Sequence, residues 1–306
     1  MDAEESVNPR TFADLYNRGL SIKEIAKNFK ISVSALHRRI DKWFREGYLM
    51  YYYNVLLHKM NNPISICILS FNQRIYVLRK IRMLKPITIY YSPLPRPTYL
   101  FYFDGDCLEV ERVFSLEHSR GMCKNILCGR IESSLLIFEN YTKYNIELLI
   151  DSDEEKLRDD IDEFIVETYF KLFNPPLEGR IYKDIISEIM RRYLGISIYR
   201  NHYYRHVYNR AVKKRIIYRQ IDRLKYALLT IYAPDLTSVK EMLMELYKME
   251  IIGGVDQVNV ISFDPFIAIT HSWVDKDKLW VESLTHDHFN NSKYEIYLVK
   301  RILWGI

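Results

Sequence analysis

The sequence predicts an α+β chain in which two winged helix-turn-helix heads alternate with two β-α-β-β-α-β units. Three observations carry this prediction. A basic amphipathic helix falls within 31–49. Short apolar strands and helices take over from Ile64. Both patterns recur in the second half of the chain.

Residues 11–18 and 22–29 read as two short helices, the second opened by the capping-box pair Ser21 and Glu24. The stretch Ile31–Leu49, ISVSALHRRIDKWFREGYL, supplies a third. Ser32 or Ser34 can cap it, through a hydroxyl that accepts from an unpaired backbone N–H. Leu36, Ile40, Trp43 and Phe44 fall on one face, to pack with Phe12, Leu15, Ile22, Ile25, Ala26 and Phe29. Gly47 sits where the helix must end. YLMYYYNVLL, from Tyr48, is β-rich and gives a wing or a connecting strand.

Strands at 64–71, 87–92 and 98–103, helices at 73–83 and 106–118, and a last strand within 125–138 give the ferredoxin-like order. Pro93, Pro95 and Pro97 stiffen the loop between its second and third strands. A connector leads to a long acidic, solvated helix at 153–173, opened by Ser152 with Glu155 and stopped by Asn174-Pro175-Pro176, with a turn at Gly179. ISEIMRRY in the helix 181–193 then lines up with IKEIAKNF at 22–29. Tyr203, Val207 and Ala211 stand where Leu36, Ile40 and Phe44 stood, and Arg215–Tyr218 takes the place of the strand after the head. Strands at 227–233, 255–263, 266–273 and 294–303, with helices at 236–249 and 275–287, repeat the six-element order. A tandem duplication of about 150 residues follows. The expected domains are 1–58, 59–143, 144–222 and 223–306.

The 306 residues, 48% hydrophobic and 27% charged, suit soluble globular domains. The acidic start lacks a signal-peptide run and no apolar stretch nears membrane-spanning length, so a cytoplasmic protein with no membrane partner is expected. Cys67, Cys107, Cys123 and Cys128 fit a reducing compartment rather than a disulfide framework. The 25 Tyr beside three Gln resemble hyperthermophile composition. Net charge is +5 but unevenly placed: from Pro176 to Lys225 thirteen Lys or Arg face four acids, and from Asn145 to Asn174 ten acids face three basic residues. This implies a basic face for a polyanion beside an acidic helix.

On that reading Ser32, Ser34, His37, Arg38 and Arg39 point into a DNA groove, since Arg reads guanine by two parallel hydrogen bonds and Ser or His can bond base or phosphate. Lys42 and Arg45, a turn further on, meet the phosphate backbone. The second copy, YRNHYYRHVYNRAVKKRIIYR, offers Arg200, Asn201, Tyr204, Arg205 and Arg210, with Lys213, Lys214 and Arg215 beside the following strand. Tyrosines can stack on unpaired bases, so RNA or single-stranded DNA stays open there. His202 and His206 stand at i and i+4, and His286-Asp287-His288 forms a similar group, but no third ligand is evident, and Cys123 and Cys128 lack a second pair. No metal and no cofactor is expected. No phosphate loop, dinucleotide fingerprint or nucleophile elbow is present, so no catalytic residues are assigned and the chain is expected not to be an enzyme.

Ile22-Lys23-Glu24-Ile25-Ala26, Ile31-Ser32-Val33-Ser34, His37-Arg38-Arg39-Ile40 and Glu46-Gly47-Tyr48 resemble the Lrp/AsnC family of archaeal and bacterial regulators. The match is good over 11–58 and architectural beyond. The resemblance implies a sequence-specific transcription regulator on double-stranded DNA, whose α/β domains join sheets and often sense small molecules such as amino acids. This chain departs in holding two units, and in lacking the family's glycine-rich effector segment; Gly253-Gly254 is nearest and lies elsewhere in the repeat. The main expectation is an internal pseudo-dimer with two reading helices about one DNA turn apart. A small-molecule effector and a homodimer through the sheets stay open. Two alternatives also stay open. One is an Lrp-like enzyme or ligand sensor that has left DNA, like the siroheme decarboxylases, which resemble the same family and use His and Arg at a tetrapyrrole pocket. The other is a nonspecific architectural nucleic-acid-binding protein.

Overall fold

Residues 7–72, 77–93, 97–140, 145–151, 155–173, 181–218, 224–275, 277–279 and 292–304 are described by the structure, a computed structural model. They form an α+β fold on antiparallel sheets. Residues 73–76, Pro95, Ser152, Asn174 to Gly179, most of the helix expected at 275–287 and the His286–His288 group lie outside the described residues.

α1 (Pro9–Asn17), α2 (Ile22–Asn28) and α3 (Val33–Arg45) begin at polar caps. Asn8 accepts from the Thr11 N–H at 2.8 Å, and Ser21 and Glu24 close a reciprocal box. Ser32, not Ser34, caps α3, accepting from the Ala35 N–H at 3.1 Å. Gly47, at φ +75°, supplies the left-handed turn after α3. Phe12, Ala13, Ile25, Ala26, Leu36, Ile40 and Trp43 fill the space between the helices.

β1 (Leu49–Val55) is not a wing. It pairs along its length with β8 (Val212–Tyr218), from Leu49 against Tyr218 to Val55 against Val212. Asn17 pins α1 to the same strand, donating to the Ile216 carbonyl at 2.7 Å and accepting from its N–H at 2.9 Å.

β2 (Ile64–Phe71), β3 (Pro86–Ser92), β4 (Thr98–Asp104) and β5 (Cys123–Arg130), with α4 (Val77–Met83) and α5 (Cys107–Ser119), form one sheet in the order β3-β4-β2-β5. β9 (Leu224–Ala233), β10 (Ile252–Phe263), β11 (Phe266–Asp275) and β12 (Lys293–Leu298), with α9 (Leu236–Lys248), give the corresponding order β10-β11-β9-β12. The single strand expected within 125–138 is two strands. After β5 the chain crosses over, and β6 (Ser133–Asn140) pairs with β10 of the other sheet, with β7 (Asn145–Leu149) outside it. The strand expected at 294–303 is likewise two, and β13 (Arg301–Trp304) crosses back to pair with β3. Each sheet thus takes an edge strand from the end of the other.

α6 (Asp160–Phe173) starts later than expected and is not solvated. Residues 155–158 are not helical, and the Leu157 N–H donates to the Lys59 carbonyl at 3.0 Å. Asp159 caps the helix, accepting from the N–H groups of Ile161 and Asp162. Its other face buries Ile165, Val166 and Phe170 against both sheets, each worth about 1.5–3 kcal/mol over an exposed side chain. The acids cluster in the first turn, where the helix dipole favours them. α7 (Ile181–Tyr193) and α8 (Ile196–His202) follow, and α8 runs into a π-helical turn at Tyr203–Val207 before β8.

Where the sheets face each other, the filling is polar as well as aromatic. His271 is fully buried between Tyr102, 2.5 Å from Nε2, and Tyr226, 2.6 Å from Nδ1. Burial drives its pKa down to about 3, so the ring is neutral and offers one donor and one acceptor. Asn259 donates to the Tyr102 oxygen at 3.0 Å. The consistent arrangement has Tyr102 donating to Nε2 and Nδ1–H donating to Tyr226.

The expected absence of disulfides is corrected at one place: Cys107, opening α5, is joined to Cys128 on β5, with Cα atoms 5.7 Å apart. Cys67 and Cys123 are free and buried. Among the described residues no helix is long and apolar enough to cross a membrane.

Candidate functional site

The most chemically pointed feature lies where the first head meets the sheets. Tyr16, Asn17 and Leu20 of the head, Asn54 of β1, Phe138 of β6 and Tyr208, Lys213, Lys214 and Arg215 around β8 line a cleft of about 450 Å³. That size falls within the range of small-molecule sites. Arg215 is 8% exposed and pairs with the fully buried Glu139, Nη2 to Oε2 at 3.1 Å. Glu139 also accepts from the Val255 N–H at 2.8 Å. Only part of the guanidinium is used: Nε and Nη1 are buried without a hydrogen-bond partner. Asn54 donates to the Leu135 carbonyl at 3.0 Å, while its Oδ1 is buried without one. A second cleft, of about 420 Å³, carries Asp104, Glu109, Glu163 and Glu167 against Lys85, the wrong sign for an anion.

The sequence-assigned residues divide between the two heads. In the first, Ser32, Ser34, His37, Arg38, Arg39, Lys42 and Arg45 are all exposed along α3. Lys42 lies 3.7 Å from Glu46, and Arg45 donates to the Asp41 carbonyl at 3.3 Å, weak contacts that leave the row open to solvent. In the second, Arg200, Asn201, Tyr204 and Arg205 are exposed, but the basic residues after them are engaged. Arg210 meets Glu155 at 2.8 Å, Lys213 lies 3.6 Å from Asp151, and the Lys214 ammonium stands 3.9 Å over the Tyr51 ring. Arg215 as a nucleic-acid contact is corrected, because its side chain is inside the protein and its charge is spent on Glu139. The second helical run covers α8 and the π-helical turn that continues it, and Tyr199, Tyr203 and Val207 are packed inward, Tyr203 and Val207 as expected. Tyr169 of α6 stacks on Tyr203 with centroids 5.3 Å apart and bonds Tyr199 at 2.9 Å.

His202 and His206 turn inward too, and they find the third group that their spacing alone did not reveal. His202 Nδ1 is 2.9 Å from Asp162 Oδ1, and His206 Nδ1 is 3.3 Å from Asp162 Oδ2. Asp162 is fully buried in the first turn of α6, and the three donor atoms lie within 4.8 Å of one another.

Asn54, Glu139, Phe138 and Asp162 were missed by reasoning from the sequence. Two of them carried a signal: Asn54 interrupts the apolar run YLMYYYNVLL, and Glu139 interrupts SSLLIFEN. A lone polar residue in a buried strand needs a partner or a ligand.

No family model and no curated protein matches the chain. Solved structures that match include the siroheme decarboxylase NirDL, alone and with an iron-uroporphyrin III analogue, each at 11% identity over 92% of this chain and 85% of that one, TM-score 0.39. An anthrone oxidase-like protein matches at 8% identity over 82% and 96% of the two chains, TM-score 0.32. A monooxygenase-like protein from Fusobacterium nucleatum matches at 9% identity over 79% and 94%, TM-score 0.28. At these scores the likeness is distant. The expectation of a chain that is not an enzyme stands against these findings: the matches are named as a decarboxylase, an oxidase-like protein and a monooxygenase-like protein.

Proposed function

We propose that the chain is an Lrp-like ligand sensor or enzyme that takes a small anionic molecule into the cleft between its first head and its sheets. Arg215 carries this reading. It lines the cleft, holds Glu139 through one nitrogen, and has Nε and Nη1 buried beneath the cleft surface without a hydrogen-bond partner, so that a small shift of the side chain would present them to a ligand. A buried donor left unpaired costs about 1–3 kcal/mol, and a carboxylate can take two parallel bonds from one guanidinium. Lys213 and Lys214 add positive charge, and Tyr16, Phe138 and Tyr208 give a flat apolar wall for the ligand's body.

The finer architecture belongs to the same proposal: heads at 1–58 and 144–222, ferredoxin-like units at 59–143 and 223–306, with β6 and β13 exchanged between the units. The observed strand orders and the β1–β8 pairing support this layout. A second reading, a polyanion such as double-stranded DNA bound by α3, is favoured by one observation, the open basic row from Ser32 to Arg45. In the second head only Arg200, Asn201, Tyr204 and Arg205 stay open, and the basic residues after them are engaged.

The test is a titration of the full chain, by absorbance and calorimetry, with carboxylated tetrapyrroles such as uroporphyrin III and with a panel of amino acids. Arg215→Lys keeps the charge on Glu139 and removes the spare nitrogens. At least one compound is expected to bind, and the variant to bind it about tenfold or more weakly. The proposal fails if nothing on the panel binds, or if Arg215→Lys binds as tightly as the parent.

A further inference from the structure

We infer that Asp162, His202 and His206 form a site for a divalent transition ion of the zinc type, fastening α6 to α8. This stands apart from the anion cleft and needs no part of that reading. Three observations point to it.

The first is donor chemistry. Two imidazoles and one carboxylate are a zinc ligand set, and three protein donors leave a position for water or another ligand. The second is spacing. In a tetrahedral site with bonds of about 2.0–2.1 Å, neighbouring donors stand roughly 3.3 Å apart. His202 Nδ1 lies 2.9 Å from Asp162 Oδ1, a hydrogen bond a metal would replace, His206 Nδ1 lies 3.3 Å from Oδ2, and one donor atom from each residue lies within 4.8 Å of the others, close to the separations such a site needs. The third is an unmet donor. His206 Nδ1 is buried and makes no hydrogen bond in spite of that proximity. A purely structural triad would use this nitrogen to satisfy the buried carboxylate.

The charge around the site agrees. The positive end of α6, equivalent to about half a charge, repels a cation. The carboxylates of Asp162 and of Asp159, whose Oδ1 is 3.6 Å from His202 Nδ1, oppose it. The π-helical turn at Tyr203–Val207 starts directly after His202 and contains His206, and the two ring centroids are 5.2 Å apart. Turns of this kind recur at functional sites.

The test uses the full, tag-free chain, stripped with a chelator and dialysed against zinc chloride, with bound metal counted by mass spectrometry. About one zinc per chain is expected, and His202→Gln and His206→Gln should each lose at least about tenfold in affinity while keeping the parent's circular dichroism. Should either variant fail to fold, the cobalt-loaded parent decides: two paramagnetically shifted imidazole N–H signals are expected in its proton spectrum. The inference is overturned by zinc binding of less than about half an ion per chain, by folded variants that bind zinc as the parent does, or by a cobalt spectrum without two such imidazole signals.

Discussion

His271 shows how much a single side chain can carry between two halves. Tyr102 comes from the first sheet and Tyr226 from the second, and one neutral imidazole joins their hydroxyls. Replacing His271 by Ala takes the acceptor from the Tyr102 hydroxyl, which keeps its bond from Asn259, and the partner from the Tyr226 hydroxyl, and opens a cavity, at an expected cost of about 2–5 kcal/mol, read from urea unfolding at pH 7. The same burial sets a pH dependence. His271 titrates at about 3 and His58, pushed down by burial, at about 4, against 6.5 for an unperturbed histidine. As pH falls, the unfolded chain therefore takes up protons before the folded one. Stability holds above about 6.5 and falls below it, by about 1.4 kcal/mol per pH unit for each histidine, with His58 levelling off near 4 and His271 near 3. Urea midpoints between pH 7 and 4.5 should show this fall, and His271→Gln should remove roughly half of it.

Elements differ in how legible they were. The caps of α2 and α3 and the inward faces of α1 to α3 were readable because each depends on residues three or four positions apart, whereas the Asn8 cap of α1 was not read. The β-α-β-β run that opens each α/β unit was readable because period two and short apolar runs mark strands. Partners were not. β1 carries nothing that names β8, more than 150 residues away, and nothing in SSLLIFEN tells β6 to leave its own sheet. Asp162 was hidden for the same reason, since its histidines come from another helix. One glycine reports the approach of the two sheets: a Cβ on Gly129 of β5 would stand 1.7 Å from Ile261 Cγ2 on β10. Gly129→Ala should lower stability by about 1–3 kcal/mol in thermal melts, and adding Ile261→Ala should restore part of the loss. On α3, Arg38→Ala and Arg39→Ala should weaken duplex-DNA binding and reduce its salt slope by about one each in gel-shift titrations. Arg215→Lys should leave that slope unchanged, because its charge is internal.

At the scale of the whole molecule, no cut along the sequence leaves a finished piece. β3 is covered by β13 and β10 by β6, and β1 and β8 have no other partner strand among the described residues. A fragment 1–143 should therefore be aggregated or unfolded alone and should form an equimolar complex with 144–306, as measured by light scattering on a sizing column; a folded monomeric 1–143 would contradict the exchange. The exchange of edge strands also bears on history. In a homodimer every substitution is written twice, and a helix that must meet DNA in one subunit must meet it in both. Two halves written in one chain are free of that constraint, and each can change by itself. Here α3 turns its cationic side outward, while the segment from α8 to β8 turns His202, His206, Tyr199, Tyr203 and Arg215 inward.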